Sequence, residues 1–262
     1  MKIIRSFWGE QQHIWNEVPA FPLFEDEIVF VWGKNNEERL KSLGYTTYLM
    51  GEGVTEEEYS TIYDHFAHKL KVLVTAEQLY DEYLFLDWDV HIVKEIDDEF
   101  WNLIRSGNNV QCPIYGYPMN YEKKILEHIK NNPQKDWVQK LDPNTYPWIS
   151  VQEELLAKYH WQWEDLQLVP NFCFLYSYKT DIATRLLDIY KEYSLKTCIE
   201  EYAMYIAANC TLQQFINTYE PTVIRGREDD CYHFDLVEDD TMRRINKFVA
   251  EQKPKKIYLK HI

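Results

Sequence analysis

The sequence lacks most of the features by which chemistry announces itself. Only eight of its 262 residues are glycine. No Gly-x-Gly-x-x-Gly follows a strand-like run, no glycine-rich loop ends in Lys-Ser/Thr, and there is no Gly-x-Ser-x-Gly. These absences remove most dinucleotide-binding, nucleotide-hydrolase and serine-hydrolase readings. The five cysteines (Cys112, Cys173, Cys198, Cys210 and Cys231) are odd in number and never spaced Cys-x-x-Cys. That pattern speaks against a zinc site or a disulfide framework and fits reduced thiols in a cytoplasmic protein. No apolar run approaches the ~18 residues of a membrane span. The polar stretch Trp8 to His13 follows Lys2 and Arg5, where a secretory leader would be apolar. Positive charge is scarce as well. With 28 Lys and Arg against 43 Asp and Glu, the net charge is −15, which argues against a broad basic surface for nucleic acid or anionic lipid.

What the chain does have is apolar material, 45% of its residues, enough for a real core. Lys2 to Phe7 and Glu27 to Trp32 read as strands, the second closed by Gly33. Glu37 to Leu43 reads as a short helix stopped by Gly44, and Tyr45 to Met50 as a third strand. Thr55 and Glu58 have capping-box spacing, and Tyr59, Ile62, Phe66, Leu70 and Leu73 recur at helical intervals, so a helix is expected to about Tyr80. Tyr83 to Leu86 is then the buried part of another strand. Alternation of this kind implies a largely parallel sheet covered by helices, with ligands beyond the carboxyl ends of the strands.

The second half is less regular. Val110 to Tyr115 and Leu168 to Tyr178 are strand candidates. Val151 to Tyr159, Thr180 to Tyr193 and Ile199 to Tyr219 read as helices, and a basic run closes the chain from Lys253 to Ile262. No repeat, low-complexity tract or Ser/Gly linker marks a boundary, so residues 1–262 are expected to form one domain.

Asp87 and Asp89, in Tyr83-Leu-Phe-Leu-Asp-Trp-Asp-Val90, end the fourth strand. Two ionised carboxylates there are costly unless water, a cation or other partners satisfy them. A divalent ion holding a phosphate ligand is the natural answer, because Mg²⁺ and Mn²⁺ take oxygen donors and keep positions open. Strand alternation would place both carboxylates on one side and Trp88 on the other.

In this context the sequence resembles the GT-A class of nucleotide-sugar-dependent glycosyltransferases. The match rests on the helix His65-Phe-Ala-His-Lys-Leu-Lys-Val-Leu73, on Tyr83 to Val90, and on Ile92-Val-Lys-Glu-Ile-Asp97. It covers residues 1–120 well and the rest loosely. The resemblance implies an α/β fold, a GT-A (Rossmann-like) mixed and largely parallel sheet flanked by helices, with an irregular helical C-terminal half. Residues 1–120 would form the donor and metal half, and residues 121–262 the acceptor side and tail.

The implied cofactor is Mn²⁺ or Mg²⁺, and the implied donor a nucleoside-diphosphate sugar, a UDP-sugar by preference. Asp89 would ligate the metal, with Asp87 contacting ribose or reaching the metal through water. His233 is the third-ligand candidate, with His261 behind it, and His91 borders the motif. Ser6, Phe7 and Trp8 would line the nucleotide pocket beside Trp88, and Lys69 would offset diphosphate charge. Glu200 and Glu201 are candidates for a base on the acceptor hydroxyl, in competition with Glu164 and Asp165, and Asn171 would face the sugar. The acceptor would be a glycan or another hydroxyl compound. A hydroxymethylated DNA base is disfavoured by the net charge unless Lys253 to Lys260, Arg225 and Arg227 gather at the site. Two other functions remain in play: a metal-dependent nucleotidyltransferase or phosphodiesterase, and a non-catalytic nucleotide-sugar-binding domain.

Overall fold

The computed structural model describes residues 1–8, 12–52, 62–92, 95–106, 109–111, 174–193, 224–225 and 259–261. Its elements are β1 (Lys2–Phe7), α1 (Gln12–Glu17), β2 (Glu27–Trp32), α2 (Lys34–Ser42), β3 (Thr46–Gly51), α3 (Ile62–Leu79) and β4 (Glu82–Leu86). They continue with β5 (Val90–Ile92), α4 (Asp98–Ser106), β6 (Val110–Gln111), β7 (Phe174–Tyr178), α5 (Ile182–Tyr193), β8 (Ile224–Arg225) and β9 (Leu259–His261).

The main sheet has six strands in the order β3-β2-β1-β4-β7-β6. The first four are parallel, and β7 runs antiparallel to both β4 and β6. The expected mixed, largely parallel sheet flanked by helices is therefore the sheet observed. Every residue of β2 is buried, as is all of β1 after Lys2 and all of β4 after Glu82. These are the near-continuous apolar runs of strands covered on both faces. The edge strand β3 is more polar and half exposed.

Alternation gives the sheet two differently lined faces. On one, Ile3, Leu84, Leu86, Phe174 and Tyr176 pack with Phe100 and Ile104 of α4. Beside them Phe7, Val29 and Val31 pack with Trp15, Leu40 and Tyr45 from α1, α2 and the start of β3. The other face lies under α3, where the Lys69 ammonium sits 5.2 Å from the Phe85 ring. Leu70 and Leu73 point inward as their spacing predicts, and Val72 and Ala76 are buried too. Helix α5 packs against α3 as well.

Element ends follow local chemistry. At the end of α2 the amide of Gly44 donates to the Lys41 carbonyl with φ at +89°, a left-handed stop that favours glycine and turns the chain into β3. Helix α4 was absent from the strand and helix reading, yet its signals are in the sequence. Asp97 Oδ1 accepts the Phe100 amide at 3.0 Å, Asp98 and Glu99 occupy the first turn, and Arg105 the last. The expected segments 112–115, 151–159, 168–173 and 199–219 lie outside the described residues.

Glu77 of α3 caps α5 from another element. Its carboxylate accepts the amides of Ala183 (2.6 Å) and Thr184 (3.0 Å) and the Thr184 hydroxyl (3.1 Å). Burial raises its pKa, and these three donors oppose the rise. Glu77→Ala would leave the helix start without its acceptor and should cost about 2 kcal/mol, read as a lower urea midpoint at unchanged slope. A midpoint equal to wild type would show that water replaces the carboxylate at no cost.

Candidate active site

Strand β4 stops at Leu86, one residue short of the acidic pair. Asp87 to Val90 form a turn closed by the Val90 amide on the Asp87 carbonyl at 3.3 Å. The strand-alternation argument for the two carboxylates therefore lapses, because Asp87 and Asp89 lie in a turn and not in a strand. The turn sits at the carboxyl end of the parallel strands, where open α/β sheets bind their ligands.

Each residue of the turn is held by a different element. From α3, Lys69 Nζ lies 2.7 Å from Asp87 Oδ2. The Lys69 side chain is 8% exposed and that of Asp87 28%, so the bond is only partly screened. From β1, Arg5 Nη1 donates to the Asp87 carbonyl at 2.7 Å. Asp87 is thus gripped by its side chain on one face of the sheet and by its backbone from the other. Trp88 turns its indole into the protein. Its Nε1 donates to the Ser6 carbonyl at 2.7 Å, and its ring meets Phe7 at 6.4 Å and Tyr45 at 6.0 Å, edge-on in both cases. Continued two residues, the β1–β4 register would put residue 87 beside Ser6. The indole N–H thus occupies the place of a ladder donor where β4 has ended. Asp89 is half-buried, its Oδ1 shut off from solvent.

The aromatic wall beside the turn is built from the ends of β1 and β2. His68 of α3 stacks on Trp8 at 6.2 Å and meets Trp32 edge-on at 4.9 Å. Phe7 is wholly buried against Trp15, with ring centroids 4.4 Å apart. Tyr45 donates its hydroxyl to the carbonyls of Pro19 and Phe21, and burial pushes its pKa up to about 12.

Ser6, Phe7, Trp8, Lys69, Asp87, Trp88 and Asp89, named from the sequence, thus cluster at one end of the sheet. His233, Glu200, Glu201, Asn171, Glu164 and Asp165 lie outside the described residues. The backbone of His261 in β9 pairs with Val90, directly after the turn, and that of His91 pairs with Lys260. Arg225 in β8 pairs with Lys260 in turn. The small β5-β9-β8 sheet therefore places the backbone of Leu259–His261 beside the strand that follows the acidic turn.

Arg5, Glu27 and His68 belong to this neighbourhood and were not singled out from the sequence. A signal for the first two was present: Arg5 interrupts the middle of Lys2-Ile-Ile-Arg-Ser-Phe7, and Glu27 is the one charge in Glu27-Ile-Val-Phe-Val-Trp32. Such charges are rarely buried unless paired.

The donor set is of the kind a divalent ion requires, carboxylate oxygens at a partly open turn. Among the described residues, no group of three or more His, Cys, Asp or Glu comes together. The described part thus offers two carboxylates, one of them engaged by Lys69. Among the described residues, no helix is long and apolar enough to cross a membrane.

No protein-family model and no curated protein matches the sequence. Solved structures do. Mouse xyloside xylosyltransferase 1 is similar over 100% of this chain and 97% of its own, at 10% identity and a TM-score of 0.49. The galactosyltransferase LgtC is similar over 100% of this chain and 86% of its own, at 10% identity and a TM-score of 0.45. The bifunctional glycosyltransferase WbbM matches 98% of this chain and 45% of its own, at 13% identity and a TM-score of 0.44. These three similar structures are a xylosyltransferase, a galactosyltransferase and a bifunctional glycosyltransferase.

Proposed function

We propose that the chain is a metal-dependent glycosyltransferase, moving a sugar from a nucleoside diphosphate to a hydroxyl acceptor. The observation that supports this reading is the Asp87–Val90 turn at the carboxyl end of the parallel strands, with Lys69 at its first carboxylate. Asp89 would be the principal protein ligand of a Mn²⁺ or Mg²⁺ ion, and Asp87 would reach the ion or the ribose. When bound, the ion supplies Lewis-acid stabilisation of the departing diphosphate. Lys69 in this reading has two partners in turn. It neutralises Asp87 before the donor arrives, and it shares its charge with the diphosphate afterwards. Ser6, Phe7 and Trp8 would border the nucleotide, with His68 and Trp32 completing an apolar wall.

His233 would complete the metal site, Glu200 or Glu201 would take the acceptor proton, and Asn171 would face the transferred sugar. The acceptor would fall to residues 121–262, whose Trp137, Trp148, Trp161 and Trp163 are candidates for a stacking wall against a glycan. A UDP-sugar is the donor of first choice.

Calorimetry with a panel of nucleoside diphosphates and sugar nucleotides, each with and without Mn²⁺, tests the reading. Binding of one base class that needs the ion is the expected result. Binding indifferent to Mn²⁺, or none across the panel, would remove the acidic turn from the donor site.

A further inference from the structure

Arg5 is among the largest fully buried side chains of the described residues. Its Nε lies 2.5 Å from Glu27 Oε1, its Nη1 donates to the Asp87 carbonyl at 2.7 Å, and its Cζ lies 4.8 Å from the centre of the Trp88 ring. Glu27 is anchored in turn. Its Oε2 accepts the amides of Leu23 (2.9 Å) and Phe24 (3.3 Å). A buried pair of this kind adds little net stability, because desolvating both ions offsets most of their attraction. Apolar residues of equal volume would pack this seam between the two clusters of the sheet face about as well. The pair therefore calls for another explanation, and its contacts give one. The Asp87 carbonyl that accepts the Arg5 hydrogen bond is the same oxygen that closes the turn with Val90. The guanidinium carbon also lies over the Trp88 ring, whose N–H is fixed on Ser6. A flat cation with several donors in a rigid fork suits that double task, and a lysine does not.

We infer that Arg5, braced by Glu27, is a positioning residue: from inside the sheet it fixes the peptide between Asp87 and Trp88, and so the directions in which Asp87 and Asp89 project. This rests on the proposed metal-diphosphate site, since it assigns what the turn is held in place for. The Leu23–Glu27 loop, the middle of β1 and the acidic turn become one rigid unit. Preorganisation of this sort appears in ligand affinity without appearing in global stability.

Two variants separate positioning from packing. Arg5→Lys keeps a charge opposite Glu27 and loses the fork. The double variant Arg5→Met/Glu27→Gln removes both charges and keeps an amide oxygen for Leu23 and Phe24. Three measurements are made on each: the urea midpoint, the affinity for Mn²⁺ alone and with UDP, and hydrogen exchange at the Val90 amide and the Trp88 indole. The expected result is a midpoint near wild type, Mn²⁺ and UDP binding about tenfold weaker, and exchange about tenfold faster at both sites. Stable variants with wild-type affinity and wild-type exchange would overturn the inference. If the wild type itself binds neither Mn²⁺ nor UDP, the site reading fails on its own. Exchange at Val90 and Trp88 then decides alone whether Arg5 holds the turn.

Discussion

Asp89→Asn is expected to lower kcat/KM by about 10³-fold and to abolish the Mn²⁺ dependence of donor binding. The argument is one of charge and shape. Asparagine fills the same volume but offers one neutral oxygen where the turn had a carboxylate, and a hard divalent ion discriminates strongly between the two. Lewis-acid stabilisation of a leaving diphosphate contributes several kcal/mol to the transition state, and each 1.4 kcal/mol is tenfold in rate. Asp87→Asn removes an ion pair as well, because its carboxylate neutralises Lys69 at 2.7 Å. That variant should lose stability as well as activity, since it leaves a nearly buried ammonium without its counter-charge. The comparison is made by steady-state kinetics over a Mn²⁺ titration with a sugar nucleotide that binds. Asp89→Asn retaining more than a tenth of wild-type kcat/KM at saturating Mn²⁺ would exclude Asp89 as the principal ligand.

The second large effect concerns stability. Glu27→Ala removes the counter-ion of a guanidinium that is 1% exposed, and with it the acceptor of two backbone amides. Breaking a buried pair from one side costs about 3–5 kcal/mol, because the remaining charge stays desolvated and uncompensated. The loss is a large share of the ~5–15 kcal/mol that holds a typical domain together. A urea titration followed by far-UV circular dichroism should therefore show a sharply lowered midpoint. A loss below about 1 kcal/mol would mean that water enters the seam and solvates Arg5. Arg5→Met/Glu27→Gln should be milder than Glu27→Ala, although it changes two residues, because neither charge remains buried alone.

Much of the first half was legible because its signals are local. Glu27 to Trp32 is a run of β-formers bounded by Gly33, and it is a strand over that whole span. Gly44 was expected to end α2 and does so through its positive φ. Leu70 and Leu73 fell on the buried face that their spacing assigned. The small elements were harder to see. Helix α4 spans Asp98–Ser106, as long as α2, and its Asp97 cap was visible in principle. The three-residue strand β5 depends on pairing with β9, some 170 positions away along the chain, and no local pattern encodes such a partner.

The same division runs through the site. The sequence by itself determined that Asp87 and Asp89 stand at the end of a buried strand, with Lys69 on the preceding helix and Ser6 to Trp8 at the end of the first strand. Each of those statements follows from spacing and hydrophobicity along one segment. Only the tertiary structure decided that the carboxylates occupy a turn, that Lys69 spans α3 to Asp87, and that Arg5 reaches the Asp87 carbonyl. It alone brought His261 of β9 alongside Val90. The physical reason is that a buried charge takes whichever partner the packing brings within about 3 Å, and that partner lies 18 positions away for Lys69 and 82 for Arg5. Hydrophobic period tells a residue which way to face. What it meets there is settled only when the sheet closes over it.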